Sequence, residues 1–311
     1  MSMVCTDINE GLVQASEVPT SPVAAPRVPI LAVIGVGLIG GSFCAALRQA
    51  KFAARIVGIG RNPAALQEAV NLGLIDEVKS IGEAGAEADL IMLATPVGAM
   101  GKVLAELRPH LKASAVVTDA GSSKSDVVAV ARAELGESVA RFVPGHPIAG
   151  SEQSGPQAAS AELYRGRDVI LTPLPENSSG AVELVRDAWL ACGARVHTMA
   201  ADEHDAVLAS VSHLPHLLAF AFMTQLGRTQ NVQQRLGLAG SGFRDFTRIA
   251  ASSPEMWRDI LRANRAAILR ELSDYQEVLN ECAQLLAEDD SQRLEEMLRQ
   301  AAQLRRDWNL S

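Results

Sequence analysis

Between residues 33 and 42 the chain reads VIGVGLIGGS, an apolar strand pattern that passes through Gly35-x-Gly37-x-x-Gly40 into a helical one. Glycines at that spacing let a strand turn straight into a helix and leave bare N–H groups at the helix N-terminus. There the amides and the helix dipole hold an anion. The stretch is therefore expected to be the first β-to-α turn of a dinucleotide-binding sheet, with Gly35, Gly37, Leu38, Ile39 and Gly40 against the pyrophosphate. A turn without ligand is the alternative, disfavoured by the strand before it and the helix after it.

The pattern beyond the turn agrees. From residue 30 to about 199 the apolar runs ILAVIG, RIVGIG, DLIMLATP, AVVTDAG, RFVPGHP, DVILTP and ARVHTM alternate with longer helical stretches. Such alternation predicts right-handed β-α-β units and a mostly parallel sheet. From about residue 200 the strand patterns stop. The expected fold class is α/β, a Rossmann-like, mostly parallel sheet domain at 28–199 followed by an all-helical domain at 200–311. Residues 1–27, with Pro19, Pro22 and Pro26 and no periodicity, are expected to be a mobile tail.

In the helical part, Ser253, Pro254 and Glu255 predict the N-cap, first-turn proline and first-turn acid of one long helix. Ile268, Leu272, Tyr275, Leu279, Cys282 and Leu286 step along it by 4, 3, 4, 3 and 4, which makes one apolar seam. Leu294, Leu298, Ala301, Leu304 and Trp308 make a second stripe. Internal packing and a subunit interface suit such stripes equally. The interface reading makes the protein a homodimer through its helical domain.

Charge narrows the partners. A formal net charge of −8 argues against nucleic acid and anionic membrane surfaces, which attract clustered Lys and Arg. The apolar run 31–47 has only 17 residues, four of them glycine, and is short of the roughly 20 that a membrane span needs. The run 207–227 is long enough but carries His213, Pro215 and His216, and is read as a buried helix of a soluble domain. Four scattered cysteines, Cys5, Cys44, Cys192 and Cys282, fit a reducing compartment. The first 26 residues hold no Lys or Arg and no continuous apolar run, so the expected location is cytoplasmic.

Residues 55–63, RIVGIGRNP, refine the cofactor. A site for NAD places Asp or Glu about 20 residues beyond the glycines to bind the ribose 2′-hydroxyl. Here Gly60 holds that place, followed by Arg61 and Asn62. No acid repels a 2′-phosphate, and a guanidinium can bond one bidentately. NADP is favoured over NAD; a solvated surface Arg61 is the alternative.

Ligands of open α/β sheets lie beyond the carboxyl ends of the strands. The loops LATPVG, TDAGSSK and PGHPIAGSE are therefore the candidate site, with Thr95 and Pro96 on the cofactor side. His146, read as a loop residue between Gly145 and Pro147, is a candidate general base, with a structural histidine as the alternative. His213 and His216 lack a third ligand, so no metal is expected. No G-x-S-x-G elbow supports serine hydrolysis.

Six ordered stretches, VIGVGLIGGS, DLIMLATPV, TDAGSSKSDV, GHPIAGSEQSG, VSHLPHLLAFA and GFRDFTRIAASSPEMWRDI, together resemble prephenate dehydrogenases and the similar arogenate and cyclohexadienyl dehydrogenases, over about residues 30 to 285. The resemblance implies NAD(P)-dependent oxidative decarboxylation of a cyclohexadienol on the way to tyrosine. It implies His146 at the ring 4-hydroxyl, Ser122 near that hydroxyl and the nicotinamide, and Arg248 at a substrate carboxylate. Glu152, Ser212, His213, His216 and Arg244 are implied to line the substrate side. Prephenate and arogenate both remain open. Another β-hydroxyacid-type dehydrogenase would share the layout, and a non-catalytic NADP-binding sensor would share all but turnover.

Overall fold

The computed structural model describes residues 25–151 and 153–308. The expected tail, apart from its last three residues, and both Cys5 and Glu152 fall outside them.

Strands β1 (Val28–Ile34), β2 (Ala53–Ile59), β3 (Glu77–Val78), β4 (Leu90–Leu93), β5 (Val116–Asp119) and β6 (Phe142–Val143) form one sheet in the order β3-β2-β1-β4-β5-β6. Every pairing in it is parallel. The continuous apolar runs explain this, because a parallel sheet is covered on both faces. Leu31 and Val33 of β1 pack with Phe43, Leu47 and Trp189 on one side, while Ala32 and Ile34 pack with Leu104, Leu107 and Val127 on the other.

The register aligns the strand ends. Ile34 pairs with both Ile59 and Leu93, and Leu93 with Asp119. The residues that follow, Gly35, Gly60, Ala94 and Ala120, therefore share one crest. Between β1 and β4 the strand order reverses, and this opens the crevice where such sheets bind ligands.

RFVPGHP, expected as one strand, is two. Pro144 has no N–H to continue the ladder, and the chain leaves the first sheet there. Strand β7 (Gly145–Pro147) pairs antiparallel with β8 (Asp168–Leu171), which pairs parallel with β9 (Arg195–Thr198). His146 thus stands on a strand, opposite Ile170, rather than in a loop.

From Ala201 onward the described elements are helical. Ser253 caps its helix as expected, accepting from Met256 N at 3.3 Å. The single long helix expected after it is broken, into Pro254–Ala263 and Arg265–Ala287. Asn264 makes the break because its buried side chain donates to the Asp205 carbonyl at 2.7 Å. The run 207–227, expected to be a buried helix, lies in the helical segment Ala201–Gly227, which is long and apolar enough to cross a membrane, yet only 28% of its most apolar window is buried. Its apolar residues surround the helix, and one copy of the chain covers only part of them.

Candidate active site

The crest of β1 and β4 shows what each glycine does. Gly35 has φ +100°, and a Cβ there would lie 2.5 Å from the Ala94 carbonyl oxygen, so only glycine lets the two crest loops touch. A Cβ on Gly40 would lie 2.1 Å from the Gly35 oxygen, so the helix Leu38–Gln49 sits directly on its strand. A Cβ on Gly37 would meet nothing within 4 Å. Open space at that one glycine fits a pyrophosphate laid against bare backbone. Leu38 and Ile39 open the helix, half-buried. Thr95, with a buried hydroxyl that has no hydrogen-bond partner among the described residues, and exposed Pro96 follow β4.

At the end of β2, Arg61 is exposed. Asn62 caps the helix Pro63–Asn71, its Oδ1 accepting from Ala64 N at 3.0 Å and Ala65 N at 3.3 Å. That cap accounts for Asn62 without a ligand. A Cβ on Gly60 would lie 3.3 Å from a Leu66 methyl group, a tight contact that the end of that side chain must yield by a few tenths of an ångström to admit.

The chemistry side is anchored by two fully buried charges. Lys124 Nζ lies 2.5 Å from Asp119 Oδ2 and donates to the Gly145 carbonyl at 2.8 Å, while Asp119 Oδ1 accepts from Gly145 N at 3.1 Å. The pair rivets β7 to the end of β5, and so plants His146 beside the crest. His146 is 8% exposed. Its Nδ1 is 2.8 Å from Nε2 of His204, whose Nδ1 is 2.9 Å from Asp205 Oδ1. Asp205 also accepts from Lys124 N and Ser125 N, both at 2.8 Å, at the start of the helix Ser125–Leu135. Burial holds the His146 pKa well below the ordinary histidine value, and the neighbouring His204, Lys124 and His213 push it the same way. Burial alone would raise Asp205, but the bonds from His204, Lys124 and Ser125 keep it below the usual carboxylate value.

His213, His216 and Ser212 approach from the helical part. His213 ends a π-helical turn, Ala209–His213, a distortion that recurs at functional sites. Its Nδ1 is 3.0 Å from Asn264 Nδ2, and burial lowers its pKa to about 4 although the Ser122 backbone beside it favours the charged form. His216 stacks on Trp257 at 3.7 Å and donates from Nδ1 to the Ser212 carbonyl at 2.9 Å. Burial lowers its pKa, and the charge of nearby Arg248 lowers it further. Arg244 is exposed on the helix Ser241–Thr247, four residues before Arg248.

His146, Ser122 and His213 are thus brought together, as are His216 and Arg248. Sequence reasoning missed His204, Asp205, Asn264 and the Asp119–Lys124 pair. ADEHDAVL carries no local sign that its central His and Asp are buried, because their partners are 58 and 81 residues away.

Hydride chemistry asks a protein for a cradle that holds a dinucleotide and for a neutral base beside it. This crest has both, so the chain is a pyridine-nucleotide-dependent dehydrogenase. The family model for the prephenate dehydrogenase nucleotide-binding domain matches residues 43–198, and that for the prephenate dehydrogenase dimerization domain matches 200–300. The chain belongs to the prephenate dehydrogenase family, the one its six motifs resemble. It is 34% identical over 278 residues to the cyclohexadienyl dehydrogenase of Zymomonas mobilis, covering 88% of this chain and 94% of that one. With the Bacillus subtilis prephenate dehydrogenase it shares 35% identity over 263 residues, 84% of this chain and 71% of the other. The crystal structure of A. aeolicus prephenate dehydrogenase in complex with hydroxyphenyl propionate and NAD+ has a TM-score of 0.85 at 36% identity, covering 92% of this chain and 99% of that one. Synechocystis arogenate dehydrogenase has a TM-score of 0.77 at 27% identity, over 90% and 100% of the two chains.

Proposed function

We propose that the protein catalyses oxidative decarboxylation of prephenate, arogenate or both in tyrosine biosynthesis, with NADP preferred over NAD, as a cytoplasmic homodimer. One observation carries the chemistry: a histidine kept neutral by burial stands on the strand riveted beside the crest. His146 accepts the proton of the ring 4-hydroxyl, and Ser122 hydrogen-bonds near the same group. A dinucleotide held against Gly35, Gly37 and Gly40 would supply the hydride acceptor for ring C4. Loss of the ring carboxyl as carbon dioxide leaves an aromatic ring, so the chain has only to orient the substrate, hold the proton and fix the anionic groups. Arg248 is the anchor for a substrate carboxylate, with Arg244, Ser212, His213 and His216 on the same side. Glu152 lies outside the described residues and keeps its role only from the motif it follows.

The NADP preference is supported by the missing carboxylate at the end of β2 and by exposed Arg61 beside it. The homodimer is supported by the dimerization-domain match and by Tyr275, Leu279 and Leu286 of the seam, which are 36%, 49% and 67% exposed in one copy.

The test is steady-state kinetics with prephenate and arogenate, each with NAD+ and NADP+, on wild type and Gly60→Asp. The wild type should turn over at least one substrate and prefer NADP+. Gly60→Asp, which has only a Leu66 methyl to displace, should shift kcat/KM toward NAD+ by about tenfold or more, the scale of one charge-assisted bond. No turnover with either substrate would overturn the reaction assigned. Equal use of both cofactors, unchanged by Gly60→Asp, would overturn the NADP preference alone.

A further inference from the structure

His204 is fully buried, and both of its ring nitrogens are engaged, one with Asp205 and one with His146. Capping of the helix Ser125–Leu135 explains Asp205, whose two oxygens take the Lys124 and Ser125 amides. It does not explain a buried histidine between that carboxylate and His146, and burying a polar ring is costly unless its bonds are made.

We propose that His204 and Asp205 are positioning residues that fix the proton of His146 on Nδ1 and leave its Nε2 as the lone pair for the substrate hydroxyl. The assignment follows atom by atom. An ionised carboxylate only accepts, so His204 Nδ1 must carry the hydrogen shared with Asp205 Oδ1 at 2.9 Å. A neutral imidazole has one N–H, so His204 Nε2 is then an acceptor. The 2.8 Å contact to His146 Nδ1 forms only if that nitrogen donates. A neutral His146 with hydrogen on Nδ1 has a bare Nε2. The opposite tautomer would aim an N–H at the hydroxyl and could not take its proton. A cationic His204 would reverse the chain and put the His146 hydrogen on Nε2, the outcome that the tautomer measurement below reads against this assignment. His204 and Asp205 are consecutive on one helix, Ala201–Leu208, which holds them rigidly.

This inference rests on His146 as the proton acceptor, and the experiment separates the two. Long-range nitrogen–proton NMR of the full chain with 15N-labelled histidine reports which ring nitrogen is protonated, and His146→Asn identifies the His146 signals by their loss. The wild type should show His146 protonated on Nδ1. His204→Phe should lower kcat by about 10²-fold, within the range for a lost general base, with KM changed less than about twofold. His204→Gln can place Oε1 where Nε2 was, and should recover kcat to within about tenfold of wild type with the Nδ1–H signal restored. A wild-type His146 protonated on Nε2, or a His204→Phe enzyme with wild-type kcat, overturns the positioning role. A His146→Asn enzyme with wild-type kcat overturns the base assignment itself. If His204→Phe does not fold, the wild-type tautomer alone decides.

Discussion

At the scale of single residues, His146 illustrates what a sequence can and cannot carry. Its position after an apolar run and between Gly145 and Pro147 marked it as a candidate base. Its protonation state was not legible, because the burial and the neighbouring His204, Lys124 and His213 that set it come from distant segments. Those neighbours have a kinetic consequence. A free histidine would place the acid limb of turnover near 6.5, but every cause acting on His146 disfavours the charged ring, so the base stays neutral to lower pH. The expectation for kcat/KM, which follows the free enzyme, is a level profile down through pH 6.5 and a fall only well below it. His146→Asn should lower kcat by about 10²- to 10⁴-fold and abolish that fall, leaving KM nearly unchanged. Arg248→Ala should instead raise KM by about 10- to 100-fold, as expected for one charge-assisted bond lost from ground and transition states alike. A limb centred at or above pH 6.5 would contradict the burial argument.

At the scale of elements, the glycine turn was the most legible part of the chain, since each glycine answers a separate steric demand. That separation can be measured. Gly37→Ala adds a methyl to open space, so its melting temperature should match wild type while affinity for the dinucleotide falls by at least about tenfold, the methyl occupying the path of the pyrophosphate. Gly40→Ala drives a methyl to 2.1 Å from the Gly35 oxygen and should cost about 1 to 3 kcal/mol of stability or more, read by thermal denaturation. A stable Gly40→Ala protein, or a Gly37→Ala protein with unchanged affinity by calorimetry, would show that the glycines have been misread. The two breaks were less legible. Pro144 and Asn264 each interrupt a pattern that continues in hydrophobicity on both sides, and what ends the element is backbone bonding: a missing N–H in one case, and a side-chain bond to the Asp205 carbonyl in the other.

At the scale of the whole molecule, apolar surface is unevenly covered. The sheet part buries two large clusters, whereas the cluster within the helical part comprises Ala209, Ala267 and Ile268 with Leu217 and Leu261 packed against it. The helical stripes were legible as stripes; whether they faced inward was not, because periodicity specifies a face and not its partner. Leu272→Glu combined with Leu279→Glu should convert the proposed homodimer to monomer or aggregate in analytical ultracentrifugation, since a charge buried at an apolar interface costs several kcal/mol. A folded dimer that survives both changes would exclude this seam as the contact. The crossing at Pro144 matters at the same scale. A single residue hands the chain from the sheet that forms the crest to the sheet that bears His146, and the Asp119–Lys124 pair holds both backbone groups of Gly145, the residue just beyond it. Side chains alternate faces along a strand, so one residue inserted between Val143 and Gly145 would turn His146 to the far side of β7 or pull Gly145 off its rivets. Substitutions could accumulate there over evolutionary time, but the number of residues in the crossing could not drift.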